Sequence, residues 1–141
     1  MSRNSLPNFV KLSDSLAEFK RHLHVNDIRV PVFYYSTNRM SEILHCKIRL
    51  EISDLNSDLY KRHLTQNRSC TCGSPLENAH HFLLVCPLFY HIRRDTIHKI
   101  KNFPAINTKQ LTHGDADRSI QENIEIFEKV QDFIIQSRRF I

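Results

Sequence analysis

Three of the four cysteines in this chain fall within seventeen residues, in the order Cys70-Thr71-Cys72-Gly73, then His81, then Cys86. As a pattern this is C-x-C-G-x7-H-x4-C. Three thiolates and one imidazole make a complete tetrahedral shell for Zn²⁺, and a closed shell leaves no position for a substrate water. The chemistry read from these residues is therefore structural zinc binding, with Cys70, Cys72, His81 and Cys86 as ligands. His80 is adjacent to His81 and gives an alternative histidine at x7 and x5 spacing. The competing view is that the three cysteines are small buried apolar residues beside a surface histidine. If Cys70 and Cys72 lie in an extended segment, residues two apart point to one face, so both sulfurs reach one ion. Gly73 allows the backbone to turn just behind the second sulfur. Glu77, one helical turn before His81, is a candidate acceptor for the second N–H of the imidazole. Cys46 lies away from the cluster and is expected to pack as a small hydrophobe. His22, His24, His45, His63, His91, His98 and His113 form no pair with ligand spacing and are expected at the surface or partly buried.

These ligands need elements to hold them, and the pattern of the chain is helical. Ser15 with Glu18 forms a capping box, and Leu16, Phe19 and Leu23 follow at helical spacing. Val30 to Tyr35 is β-branched and aromatic and predicts a short extended stretch. Met40, Ile43, Leu44, Ile48 and Ile52 mark a second helical face, and Ser53 is placed to cap a third helix carrying Leu55 and Leu59. Glu77 to Val85 predicts a short helix that returns His81 over the thiols. Pro87 suits the first position of a helix running from Leu88 to Ile100. Asn102 to Thr112 reads as a connector, and Gly114-Asp115-Ala116-Asp117 as a break. Ser119 and Glu122 form a capping box for a final helix, whose apolar stripe is Ile120, Ile124, Phe127, Val130, Ile134 and Ile141.

The fold expected is mainly α: a small helical domain with a zinc knuckle between helices and a long amphipathic C-terminal helix. Residues 1–114 form the helical region containing the knuckle, at about 68–90, and residues 115–141 form the helix packed on it. With 141 residues, 40% hydrophobic and 25% charged, the composition is that of a folded domain. Only 2 glycines are present, which disfavours a turn-rich β architecture. No apolar run reaches the length of a membrane span, and the first ten residues lack a signal-peptide core. The expected location is intracellular, nucleus or cytoplasm, where thiols stay reduced.

The net charge of +5 is uneven. Residues 1–110 carry a net +7 and residues 111–141 a net −2. A basic body suits a polyanion such as RNA or DNA. The candidate phosphate contacts are Lys61, Arg62, Arg68, Arg93, Arg94, Lys99 and Lys101, with Tyr90 or Phe89 placed to stack on an unpaired base.

A family resemblance joins these features. Leu55-Asn56-Ser57-Asp58-Leu59-Tyr60, Cys70-Thr71-Cys72-Gly73, Glu77, His81-Phe82-Leu83-Leu84-Val85-Cys86-Pro87, Tyr90 and Arg93 resemble the C-terminal region of non-LTR retrotransposon polyproteins. That region follows the reverse transcriptase domain and carries a CCHC zinc-knuckle-like motif. Upstream, residues 15–23, Tyr34-Tyr35, Arg39 and Ile43-Leu44-His45 are similar to the approach to that knuckle. Downstream, residues 111–115, Asn123, Ile126-Phe127, Val130, Phe133-Ile134 and Arg139-Phe140 are similar to its terminal helix. The resemblance implies His81 over His80, because the family places four residues between histidine and the last cysteine. It also implies a grip on template RNA or target DNA beside a polymerase domain.

The polymerase's Tyr-x-Asp-Asp motif has no counterpart, since no Asp-Asp pair occurs in the sequence. The expectation is a non-catalytic tail, truncated and lacking the polymerase, with no small-molecule substrate and no membrane partner. Two alternatives stand beside it. One is a zinc-stapled structural or protein-interaction module that binds no nucleic acid. The other is a hydrolase with an open zinc site, which would need one of the four ligands to stand outside the shell.

Overall fold

The computed structural model describes residues 32–35 and 38–141, and among them it is mainly helical with no strand. The 3₁₀ turn Val32–Tyr35 is followed by α1 (Arg39–Arg49) and α2 (Asn56–Lys61). After the cysteine turn come a single π turn (His81–Val85), a 3₁₀ turn (Pro87–Phe89) and α3 (Tyr90–Asp95). Two further 3₁₀ turns, Ile97–Lys99 and Phe103–Ala105, lead to α4 (Thr108–His113) and the long α5 (Ile120–Ser137).

The core is built round α5. Ile126, Phe127, Val130, Phe133 and Ile134 are buried and share one cluster with Phe33, Ile48, Leu55, Phe82, Leu83, Ile97, Ile100, Ile106 and Leu111. Ser119 accepts from the Glu122 N–H while the Glu122 carboxylate accepts from the Ser119 N–H, which is the capping box the sequence predicts. The stripe is shifted at both ends. Ile120 and Ile141 are exposed, because Ile120 is the first helical residue and the helix stops at Ser137 with Arg138 in the left-handed region. Phe133 and Ile126 take their places.

Other expectations are corrected as well. Val32–Tyr35 is 3₁₀ rather than extended. Phe33 and Tyr34, neighbours in sequence, both pack on Phe127 at 4.9 and 5.1 Å, whereas a strand would send them to opposite faces. The buried face of α1 is Ser41, Glu42, His45 and Ile48, so Met40 and Ile52 stay exposed. Two of its polar members, Ser41 and His45, are satisfied by one network. Ser41 Oγ donates to Gln131 Oε1, Gln131 Nε2 donates to His45 Nδ1, and His45 Nε2 donates to the Leu111 carbonyl. That network ties α1 to α4 and α5, and it makes His45 fully buried rather than superficial.

Ser53 does not cap α2, whose N-cap is Leu55; its hydroxyl instead donates to Asp58 and accepts from the Leu55 N–H. The helix expected over 88–100 breaks at Thr96, and the connector after it contains α4. The Thr96 hydroxyl bonds back to the Ile92 carbonyl, and the turn beyond it buries Ile97 and Ile100. Cys46 is half-buried on α1. The capping box at Ser15 and the helix with Leu16, Phe19 and Leu23 lie outside the described residues. No helix among the described residues is long and apolar enough to cross a membrane.

Candidate metal centre

Cys70 and Cys72 sit on a tight turn rather than an extended segment. The Gly73 N–H donates to the Cys70 carbonyl at 3.0 Å, and the Cys70 N–H donates to the Ser74 carbonyl at 2.9 Å. Gly73 has φ +104, in the region that glycine enters without steric penalty. The turn folds the two sulfurs toward one point and leaves Cys72 partly exposed.

The other two ligands come from the π turn. In an α-helix, positions five apart lie about 140° round the axis from each other. Here the Cys86 N–H bonds to the His81 carbonyl at 2.7 Å, a widened turn that reduces this offset and brings His81 and Cys86 to one side. The wide turn needs outside partners for its carbonyls, and Arg93 supplies them. Its Nε donates to Leu83 O at 2.7 Å and its Nη2 to Phe82 O at 3.0 Å.

The result is a compact donor set. The Sγ atoms of Cys70, Cys72 and Cys86 and a ring nitrogen of His81 all lie within 4.8 Å of one another. Cys70 Sγ is 3.7 Å from Cys86 Sγ, and Cys72 Sγ is 3.3 Å from His81 Nε2. Two sulfurs each about 2.3 Å from a tetrahedral ion stand about 3.7 to 3.8 Å apart. A disulfide would need about 2.05 Å. The spacing suits a shared metal ion, and these four residues form a group that can hold one.

The electrostatics of the group divide. Burial pushes the Cys86 thiol up to about 12, with Cys70 and Cys72 adding to the rise. The backbone at Ser74 holds the Cys72 thiol below its usual range. Burial lowers the His81 pKa, which favours the neutral imidazole a metal requires. Gathering three thiolates without a cation is costly, and a divalent ion removes that cost.

The structure chooses His81 for the group. His80 is exposed and turns away, its Nδ1 meeting Thr108 Oγ1 at 2.9 Å. Glu77 does not serve the imidazole. Its carboxylate accepts from Arg139 Nε and Nη2 at 2.8 and 2.6 Å, and from the Asn56 N–H at 2.8 Å. Phe82 also packs on Phe140 at 5.5 Å. The segment after α5 therefore clamps the knuckle, a role for Arg139 that sequence reasoning missed.

Arg93 is the one candidate phosphate contact that the structure removes. It is 2% exposed and committed to the π turn, its guanidinium 5.4 Å from the Phe133 ring centre. The other six are exposed. Lys61 pairs with Glu51, Arg94 with Asp95 and Lys101 with Glu122. Arg62 donates to the Ser53 carbonyl, and Arg68 lies 5.2 Å over the Tyr60 ring. Of the two rings placed for stacking, Phe89 is half-buried against Phe82 and Phe133, whereas Tyr90 is 49% exposed. No family model, curated protein or solved structure matches the chain.

Proposed function

We propose that Cys70, Cys72, His81 and Cys86 hold one structural Zn²⁺. We further propose that the chain is a non-catalytic, nucleic-acid-binding region of the kind that follows the reverse transcriptase in non-LTR retrotransposon polyproteins. The observation that carries the metal assignment is the gathering of three sulfurs and one imidazole nitrogen within 4.8 Å of one another, with the Cys70 and Cys86 sulfurs at the 3.7 Å that a shared tetrahedral ion imposes. All four positions of the shell are protein ligands, which speaks for a structural role rather than an activated water. The ion would fix the turn at Cys70–Gly73 against the π turn, and coordination would supply part of the stability of this segment.

The nucleic-acid assignment rests on the resemblance and on the six exposed cations Lys61, Arg62, Arg68, Arg94, Lys99 and Lys101. Contacts of that kind go to phosphate, carry no sequence information and weaken steeply with salt. Filter binding of single-stranded RNA across a salt series tests it, with affinity expected at low salt and a steep loss as salt rises. Absence of binding at low salt would end it.

A zinc-stapled interaction module is favoured by a specific observation: Val85 and Leu88, beside the last ligand, are 51% and 56% exposed. Charge reversal at Arg94 and Lys99 separates the two readings. It abolishes RNA binding under the first and leaves partner binding intact under the second.

A further inference from the structure

A groove of about 470 Å³ opens between the end of α1, α2, the stretch from Leu76 to His80, and α4. Its size is that of a small-ligand site. Ile48 and Leu76 give it an apolar wall. Two polar side chains in its lining have unused hydrogen-bonding atoms. Asp58 is 5% exposed; its Oδ2 accepts from the Ser53 N–H and hydroxyl at 3.1 and 2.6 Å, while no hydrogen bond among the described residues reaches its Oδ1. Asn78 spends its Oδ1 on the His81 N–H at 2.9 Å, and its Nδ2 has no acceptor among the described residues. A buried acceptor and a donor thus line the same groove, with the exposed Arg68 also in its lining.

The charge pattern decides what fits. The lining is mixed in charge, but Lys61 is paired with Glu51 and Arg49 donates to the Thr112 carbonyl. That leaves the unused Asp58 oxygen facing an occupant, and a phosphate seated there would meet like charge. A neutral base would not. The Watson–Crick edge of every base offers a donor beside an acceptor, and that edge is open only in an unpaired strand. Building on the nucleic-acid function proposed above, we propose that this groove seats one unpaired nucleotide of a single strand. The base lies against Ile48 and Leu76, its Watson–Crick edge faces Asp58 and Asn78, and its phosphate meets Arg68. The knuckle then does more than hold charge near nucleic acid. Asn78 fixes the start of the π turn through the His81 N–H and reads the base with its amide.

Fluorescence anisotropy of the zinc-loaded full chain with a 12-nucleotide RNA and with a 12-base-pair duplex tests this. Asn78→Asp keeps the oxygen that accepts from His81 and replaces only the donor. It is expected to weaken single-strand binding about ten-fold and duplex binding less than two-fold. Arg68→Ala, at an exposed position, is expected to lower the single-strand salt slope by about 0.7, one phosphate contact. It carries the test if Asn78→Asp fails to load metal. Adenosine monophosphate alone is expected to shift the amide resonances of Asn78, Ala79 and Thr108, which distinguishes a nucleotide site from a site that needs the strand. RNA binding that survives both substitutions at wild-type single-strand affinity, with no groove amide shifted, overturns the groove and leaves the nucleic-acid function standing. No RNA binding at any salt removes both.

Discussion

Arg93→Ala should unfold the knuckle region rather than weaken a surface contact. The side chain is 2% exposed and donates two hydrogen bonds to the carbonyls of Phe82 and Leu83. Hydrogen bonds from a charged donor contribute about 1.5–3 kcal/mol each, and a guanidinium over a ring adds about 0.5–2 kcal/mol. Burial opposes this, since it lowers the pKa of the guanidinium, and alanine relieves that desolvation. The truncation also leaves two carbonyls of the π turn unpaired and a void against Phe133. The net loss expected is about 3–5 kcal/mol, the range seen when one partner of a buried charged arrangement is removed. Urea unfolding of the zinc-loaded chain followed by circular dichroism measures it. Arg94→Ala, one residue on and exposed, is the control and should change stability by about 0.5 kcal/mol or less. Arg93→Lys should recover less than half the loss, because a lysine cannot present the fork that spans both carbonyls. A loss under about 1 kcal/mol for Arg93→Ala, or one equal to that of Arg94→Ala, would refute the assignment of Arg93 to the fold.

Three further outcomes are expected. Arg139→Ala removes the partly buried pair with Glu77 and should cost about 2 kcal/mol or more, with faster hydrogen exchange at Asn56 and Glu77 than at Val130; unchanged exchange at Glu77 would exclude the clamp. Burial lowers the His45 pKa from its ordinary 6.5 to about 3. The unfolded chain therefore takes up this proton first, so the stability is fully present above about pH 6.5 and drains as pH falls toward 3, by an amount on the order of 5 kcal/mol. His81, His98 and His113 are lowered too and push the same way. His45→Gln should be less stable at pH 7 but lose less between pH 6 and 4 than the wild type; parallel acid curves would show that His45 does not drive the loss. Gly114→Ala should cost about 2–4 kcal/mol, because φ is +88 and an added Cβ would stand 2.6 Å from Phe33 Cε1; a melting temperature within a degree of wild type would contradict this.

How much of this was legible in the sequence depends on whether the signal is local. The α5 cap needs only Ser119 and Glu122 three apart, and Gly114 marks a real break. The metal group was legible because ligand chemistry restricts residue type and spacing together. The phase of α1 was not legible. Its buried face carries Ser41 and His45, polar groups that are tolerable because their partner Gln131 lies about ninety positions away in sequence. Charge alone also misplaced Arg93. A lysine or arginine in a basic stretch reads as solvated, and nothing nearby reveals that a π turn ten residues earlier leaves two carbonyls waiting for it. The spacing of Glu77 to His81 suggests an imidazole partner, and nothing local reveals that its carboxylate is taken by Arg139, 62 positions away.

A single ion shared by Cys70, Cys72, His81 and Cys86 underlies everything proposed for this chain. Metal analysis of the purified chain, with Cys86→Ser beside it, tests that most directly. One zinc per wild-type chain, lost or weakened strongly in the variant, is the expected result. A chain that folds to the same helical content with no bound zinc, and takes up none when zinc is supplied, would contradict it.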